Sequence, residues 1–207
     1  MIICDEKEFI FIHIPKNSGT AMTRALQKTY KNTQLLKFCE RKGINIGIDK
    51  MHLYYDVIDK FISKNKVENY LKFCIIRNPY NKLYSAWNFI KNRHGYENVN
   101  DFVKNKLNEE FIYGKEIIPR DSRVHYRPQF TFVYDTKNNK FADFIIRYEN
   151  LNDDISKINK EYNLNIPLYD NGNTQKNYIK YFNKESIKKI NSLYQKDFEL
   201  FNYEMIE

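Results

Sequence analysis

The sequence predicts a three-layer α/β domain, in which a mostly parallel central sheet is flanked by helices. Short apolar runs of strand length alternate with longer segments of helical spacing, and the strongest runs lead directly into helix-start signals. The chain has 207 residues, of which 42% are hydrophobic, so it can bury a sizeable core. It contains no internal repeat, linker or low-complexity tail, and we expect residues 1–207 to form a single domain.

The first elements follow from local patterns. Residues 9–14 form an apolar run that is typical of a buried parallel strand. Residues 18–30 have apolar side chains on one side of a predicted helix, and residues 34–39 form a second, weaker strand. Asp49 is expected to cap a helix that continues through residues 50–62.

The strongest predicted strand lies in the middle of the chain, at residues 70–76. Asn78 then caps a helix, and Pro79 occupies the first helical position, where proline is favoured. Residues 130–151 are expected to form two strands around a polar turn. Helices close the chain, and the last of them has Asn183 as its cap.

Composition restricts the partners and the environment. A formal net charge of +8 favours anionic partners, without choosing among nucleotides, nucleic acid, acidic glycans and membranes. The three cysteines, Cys4, Cys39 and Cys74, lack metal-ligand spacing, and their odd number argues against a disulfide scaffold. No window approaches about 18 uncharged apolar residues. We therefore expect a soluble, cytoplasmic protein that does not insert stably into a membrane, although a cleaved anchor would not be visible.

The stretch PKNSGTAM lies between the first predicted strand and the first predicted helix. Such a turn binds anions, because the free N–H groups and the dipole of the helix point toward the ligand. Gly19 allows close backbone approach, and Lys16 offers a mobile charge beside the hydroxyl groups of Ser18 and Thr20. The lysine precedes the glycine, unlike in Walker A, so the stretch favours a phosphate-type ligand over ATP with Mg²⁺. Alone, it is also compatible with a capped turn that carries an ordinary lysine.

A second candidate anion site follows the strand at residues 70–76. Arg77 stands at the end of this strand, and Ser85 lies eight residues on, within the following helix. A guanidinium group matches phosphate oxygens in bidentate fashion, so the pair can hold a second phosphate. The alternative is that Arg77 forms a structural salt bridge.

Together, HIPKNSGT and RNPYNKLYSAW resemble the sulfotransferases that use 3′-phosphoadenosine 5′-phosphosulfate (PAPS), in particular the family 2 type of the carbohydrate branch. Residues 125–135, 145–151 and 194–204 are similar to later segments of that branch. The sequence departs in small ways. Asn17 and Ser18 stand where Thr and Gly or Ala are common, and Lys82 replaces a usual Arg, but no required charge is lost.

The resemblance implies a P-loop-like domain, PAPS as co-substrate without a required metal, and a hydroxyl acceptor on a glycan or glycolipid. It places the 3′-phosphate on Arg77 and Ser85. It places the 5′-phosphosulfate on a loop of seven residues: Pro15, Lys16, Asn17, Ser18, Gly19, Thr20 and Ala21.

Sulfuryl transfer needs in-line positioning and stabilisation of the charge that develops on the leaving oxygen. Lys16 is the candidate for that stabilisation. The acceptor hydroxyl must lose a proton, and histidine suits that task near neutral pH. His52 lies between the two motifs, where related glycan sulfotransferases often place the base, and is the first candidate. His125 is its rival and can instead position the acceptor or cofactor, together with Arg127 and Gln129. We expect His13 and Glu149 to be structural.

Two other classes of protein fit parts of the sequence. A nucleotide-dependent kinase with a variant phosphate loop would need a Mg²⁺-binding carboxylate after a core strand, where Arg77 stands instead. A basic nucleic-acid-binding module fits the aromatic and lysine residues of NYIKYF, but it has no need of a strand-loop-helix anion site. We therefore expect PAPS and a hydroxyl acceptor, and no nucleic acid, as partners.

The acceptor surface is expected at residues 96–123, because acceptor loops vary within one fold. This stretch carries five cations that suit an anionic glycan: Lys104, Lys106, Lys115, Arg120 and Arg123. The alternative is a solvated helix and loop.

Overall fold

The computed structural model describes most of the chain. The described residues are 1–36, 50–58, 61–114, 122–135, 137–169 and 177–207. Several residues named above lie outside them, and the expectations that rest on these residues stay predictions: Cys39, Asp49, Lys115 and Arg120.

Within the described residues, a five-stranded sheet forms the centre of the fold. Its strands are β1 (Ile2–Cys4), β2 (Phe9–Ile12), β3 (Thr33–Leu35), β4 (Leu71–Ile76) and β5 (Phe144–Arg147). Their spatial order is β3-β1-β2-β4-β5. β4 pairs in parallel with β2 and β5, whereas β1 pairs antiparallel with β2 and β3. The sheet is therefore mixed, with its parallel pairing in the half formed by β2, β4 and β5. The expected mostly parallel sheet is not confirmed, because β1 returns beside β2 as an antiparallel neighbour and pairs antiparallel with β3 as well.

The register of this parallel half brings the two candidate anion sites together. Ile12 lies opposite Cys74, and Ile76 lies opposite Arg147. Because the carboxyl ends of parallel strands meet at one edge, the residues after β2 lie beside those after β4. In open α/β sheets, ligands bind at this edge.

Helices connect the strands and continue beyond them. The α-helices are α1 (Gly19–Thr29), α2 (Tyr55–Ile58), α3 (Lys64–Asn69), α4 (Pro79–His94), α5 (Val99–Asn105), α6 (Glu109–Tyr113), α7 (Phe130–Val133), α8 (Leu151–Tyr162), α9 (Lys184–Leu193) and α10 (Gln195–Phe201). Short 3₁₀ turns lie at Lys50–His52, Ser122–Tyr126, Tyr148–Asn150 and Ile179–Tyr181.

Helices cover both faces of the sheet, which gives three layers. On one face, α1 and α8 pack against Phe11 and Phe73. On the other face, Leu53, α7 and the end of α10 pack against Ile12 and Cys74. Cys74 is fully buried, as expected for a small core residue. A separate buried cluster joins α4, α5 and α9 beside the sheet.

The start of α4 agrees with its local signals. The side chain of Asn78 accepts hydrogen bonds from the backbone N–H groups of Tyr80 and Asn81, and Pro79 is the first helical residue. A proline at this position lacks an N–H group that would have no partner within the helix. The helix that carries Ser85 therefore begins directly after Arg77.

The strand predicted at the start of residues 130–151 is wrong, because Phe130–Val133 forms the helix α7. The carboxylate of Asp197 accepts hydrogen bonds from the backbone N–H groups of Gln129 and Phe130. These donors at the start of a helix are satisfied by a side chain distant in sequence. The second predicted strand of this stretch is present as β5.

The continuous helix predicted over residues 50–62 is also wrong. A 3₁₀ turn at Lys50–His52 and the four-residue α2 occupy the described part of this stretch. Nδ1 of His52 lies 2.9 Å from the carbonyl oxygen of His13, so the turn bonds to the chain just after β2. This tertiary contact holds the 3₁₀ turn against the end of β2.

Candidate active site

The first loop, residues 15–19, joins β2 to α1 and has an unusual backbone. Lys16 has φ = 68° and Ser18 has φ = 61°, both in the left-handed region that disfavours side chains. A Cβ atom on Gly19 would overlap the imidazole ring of His13, so glycine is required there by contact. Left-handed residues in such turns orient backbone N–H groups into a concave surface that binds anions.

Lys16 is half-buried in the first loop, and its ammonium group lies 3.8 Å from the centre of the Phe89 ring. Within the described residues, no carboxylate forms an ion pair with it. Burial, together with the positive charge of Arg77, lowers the pKa of Lys16 to about 8. The ammonium group is therefore poorly hydrated and suited to an anionic ligand.

Arg77 begins the second motif, residues 77–85, and is 7% exposed. Its Nη1 donates a hydrogen bond to the carbonyl oxygen of Lys16 at 3.2 Å, which joins the two motifs directly. Its guanidinium carbon lies 4.2 Å from the centre of the Tyr148 ring. Nε is buried without a hydrogen-bond partner, and no described carboxylate pairs with the side chain. The described residues thus offer no salt bridge as an alternative role for Arg77.

Ser85 and Phe89 lie along one stripe of α4, with Lys82 one turn before Ser85. Ser85 is half-buried, and Phe89 is 62% exposed. Lys82 is 1% exposed, and its ammonium group donates to the carbonyl oxygens of His125 and Arg127, each at 2.9 Å. Burial lowers the pKa of Lys82 to about 8, although the charge of Asp197 opposes this shift. The buried side chain of Lys82 therefore holds the backbone of the segment that contains His125.

Three histidine rings form a row beside the first loop. The ring centres of His13 and His52 are 4.5 Å apart, and those of His52 and His125 are 5.5 Å apart. A carbonyl oxygen can only accept, so the contact with the His13 carbonyl places a hydrogen on Nδ1 of His52. In the neutral ring, Nε2 of His52 then has a lone pair. His125 lies 5.4 Å from Phe89, so the row ends beside the ring that Lys16 contacts.

Comparison with known proteins identifies the family of the chain. The family model described as the sulfotransferase family matches residues 1–204. The chain belongs to the sulfotransferase family. Neither the curated proteins nor the solved structures give a significant match. This match confirms the resemblance based on HIPKNSGT and RNPYNKLYSAW, and it covers nearly the whole chain.

Within this sulfotransferase, the seven residues expected around the 5′ end differ in where their side chains lie. Lys16 and Ser18 are partly accessible, and Thr20 and Ala21 are exposed. Asn17 is fully buried, and its Nδ2 donates to the carbonyl oxygen of Ile75 at 2.8 Å. Pro15 is buried as well. The side chain of Asn17 is therefore held inside the protein and does not face a ligand.

Glu149 and His13, the two residues expected to be structural, both form contacts within the protein. Glu149 accepts hydrogen bonds from the backbone N–H of Asn78 and from the hydroxyl group of Tyr203, each at 2.8 Å. His13 is 3% exposed and lies against Gly19, and burial holds the pKa of its imidazole well below the usual range.

The described part of the expected acceptor stretch, residues 96–114 and 122–123, contains α5 and α6. Lys106 and Arg123 line a pocket of about 220 Å³ together with Glu110 and Phe111. Two of the expected cations of this stretch thus share one concave surface with a carboxylate.

Among the described residues, no group of three or more His, Cys, Asp and Glu side chains is arranged to hold a metal ion. No helix in the described part of the chain is both long and apolar enough to cross a membrane.

Sequence reasoning missed two features of the site. Phe89 is an exposed aromatic residue on the stripe of Ser85, and its spacing on α4 was the available signal. The second feature is the connection between the motifs. Gln129, which the sequence indicated only as a companion of His125, bonds to both motifs and is held by Asp197, and no sequence spacing relates these residues to each other.

Proposed function

We propose that this sulfotransferase moves the sulfuryl group of PAPS to a hydroxyl group of a carbohydrate, on a glycan or glycolipid, without a required metal ion. The arrangement of Lys16 and Arg77 carries the proposal. Lys16 and Arg77 follow adjacent parallel strands, and Nη1 of Arg77 donates a hydrogen bond to the backbone carbonyl oxygen of Lys16. No described carboxylate pairs with either side chain. A nucleotide with phosphate groups at both the 3′ and 5′ positions of one ribose suits two such neighbouring sites.

The first loop would hold the 5′-phosphosulfate through the backbone N–H groups at the start of α1, in a P-loop-like arrangement. Its left-handed residues and the absence of acidic residues from the first turn of α1 support this role. The hydroxyl groups of Ser18 and Thr20 are accessible enough to add hydrogen bonds.

Arg77 and Ser85 would hold the 3′-phosphate. The buried Nε of Arg77 supports this assignment, because a buried donor without a partner is costly and a phosphate oxygen would satisfy it. Ser85 is half-buried two turns into α4, and its hydroxyl group would add a hydrogen bond to the same phosphate.

In the reaction, the S–O bond to the donor breaks while an S–O bond to the acceptor oxygen forms. Lys16 would stabilise the negative charge that grows on the leaving phosphate oxygen. His52 would accept the hydroxyl proton at Nε2, because its Nδ1 is held by the carbonyl of His13. His125 remains the alternative base, since it lies next in the row and beside Phe89.

An exposed aromatic ring supports a carbohydrate acceptor. Phe89 is 62% exposed and lies between Lys16 and His125. An acceptor that approaches these groups therefore meets an apolar ring face, a common component of ligand sites.

The proposal is tested by binding and transfer with the metal chelator EDTA present. We expect adenosine 3′,5′-bisphosphate to bind by calorimetry, and the label of ³⁵S-PAPS to move to a polysaccharide or glycolipid but not to simple phenols. Binding of ATP only with added Mg²⁺ would indicate a kinase, and tight binding of nucleic acid without transfer would indicate a binding module. Either result would overturn the proposal.

A further inference from the structure

We propose that Gln129 is a positioning residue that sets the spacing between the first loop and the second motif, with Asp197 holding Gln129 in place. This inference rests on the proposed function, because it concerns how one nucleotide engages two phosphate-binding motifs at once.

One buried amide bonds to both motifs. Oε1 of Gln129 accepts a hydrogen bond from the backbone N–H of Arg77 at 2.9 Å and from Nδ2 of Asn17 at 2.7 Å. Nε2 of Gln129 donates to the carbonyl oxygen of Arg77 at 2.8 Å. The side chain is fully buried, so these bonds do not compete with water. The amide of Gln129 therefore pairs with both backbone groups of Arg77, and it also fixes the side chain of the loop residue Asn17.

Gln129 is itself held by a carboxylate from α10. Oδ2 of Asp197 accepts a hydrogen bond from the backbone N–H of Gln129 at 2.8 Å and has a longer contact of 3.4 Å with its Nε2. Oδ1 accepts from the backbone N–H of Phe130 at 2.8 Å. Asp197 is fully buried as well. Both the backbone and the side-chain amide of Gln129 are thus fixed from the far side of the site.

The first loop needs such a constraint. Lys16 and Ser18 have left-handed backbone conformations, which cost energy for residues with a side chain. Asn17, between them, bonds to Ile75 and Gln129, so it anchors the loop to β4 and to the amide. Without Gln129, the loop keeps its bonds to Ile75 and to the Arg77 guanidinium group, but it loses the bond that links Asn17 to the amide held on the Arg77 backbone.

Spacing has a measurable consequence for a ligand with two phosphate groups. The second phosphate adds affinity only where both sites can be occupied together, because its binding is then intramolecular. A variant with altered spacing between the motifs should bind AMP and 3′-AMP with nearly unchanged affinity. It should lose the additional affinity that the bisphosphate gains by occupying both sites. A residue that only stabilises the fold would not produce this pattern.

The experiment compares adenosine 3′,5′-bisphosphate, AMP and 3′-AMP by calorimetry, in the wild type and in Gln129→Met. We expect the ratio of the AMP Kd to the bisphosphate Kd to fall about tenfold or more in Gln129→Met, equal to about 1.4 kcal/mol or more. The Kd values of AMP and 3′-AMP should each change less than about threefold. An unchanged ratio would overturn the inference.

Asn159→Leu is the matched control. The amide of Asn159 accepts from the backbone N–H of Ile166 and donates to its carbonyl oxygen, as Gln129 does with Arg77, but it contacts neither motif. We expect this variant to keep the wild-type ratio, and a similar fall in it would also overturn the inference. If Gln129→Met does not fold, Asn17→Ala is the second variant. It removes the bonds from Asn17 to Gln129 and to Ile75, leaves the bonds between Gln129 and Arg77 in place, and should lower the ratio in the same direction. A wild type that does not prefer the bisphosphate to AMP would instead contradict the proposed function itself.

Discussion

The first loop and the second motif lie side by side at one edge of the sheet, but they are built in different ways. The first loop uses left-handed backbone at Lys16 and Ser18 and a half-buried lysine on a flexible stem. The second motif uses a regular helix start at Asn78 and a buried Arg77 that lies against an aromatic ring. Under the proposed function, the difference suits two tasks. Arg77 would hold the 3′-phosphate, which does not react, and a rigid side chain suits that task. Lys16 would stabilise the leaving phosphate oxygen, and a flexible side chain can follow this oxygen as its charge develops.

Under the proposed function, the first loop would carry the chemistry and the second motif would carry the affinity. Lys16 and the histidine row should therefore affect turnover more than nucleotide binding, and Arg77 should do the reverse.

The largest expected effect is on turnover and comes from the histidine row. His52→Ala should lower kcat by roughly 10²–10⁴, the range for loss of a general base, while affinity for the bisphosphate stays near the wild-type value. His125→Ala should give a smaller loss or a higher KM for the acceptor. Steady-state kinetics and calorimetry on both variants test this prediction. The reverse ranking would make His125 the base, and a loss of nucleotide affinity in His52→Ala would contradict the division of tasks.

Arg77→Ala should act on affinity instead. Loss of a buried charged contact should weaken bisphosphate binding by roughly 2–5 kcal/mol, whereas AMP, which lacks the 3′-phosphate, should lose little. Arg77→Lys is the matched variant and should recover part of the loss, since it keeps the charge but not the bidentate geometry. Calorimetry with both nucleotides measures the effect, and equal losses for both would place Arg77 elsewhere.

Lys16→Ala should lower kcat by roughly 10²–10³, as for loss of one group that stabilises a developing negative charge. The pKa of Lys16 is lowered to about 8, and the ammonium form is the active one. In the free enzyme, kcat/KM should therefore fall as pH rises through about 8. Lys16→Arg should remove this alkaline fall, because arginine stays charged. Near-normal turnover of a folded Lys16→Ala protein would refute the role.

The smallest expected effect is on stability. Ser18 has φ = 61°, and relief of a left-handed conformation by glycine is worth about 1–2 kcal/mol, partly offset by the entropy of glycine in the unfolded chain. Ser18→Gly should thus raise the free energy of unfolding by up to about 1 kcal/mol. The control, Ser156→Gly in α8, should lower it by a few tenths to 1 kcal/mol. Urea unfolding measures both, and a loss in Ser18→Gly would show that the loop backbone is not under strain.

The two motifs also differ in how far the sequence predicts them. The start of α4 follows from adjacent residues, because Asn78 and Pro79 act within one turn. The three-residue β1 was missed, since its pairing with β2 and β3 lies outside its own short pattern. Residues 130–133 look like a strand by composition, but Asp197 satisfies the donors of a helix there.

By itself, the sequence determined the family, the strand that precedes each motif and the charged residues that each motif carries. These features depend on residues close together in the chain, whose preferences are local. Only the tertiary structure decided that the histidines form a row, that Phe89 contacts Lys16, and that Gln129 joins both motifs. Such contacts link residues separated by dozens of positions, and their geometry exists only once the sheet brings the two strand ends together.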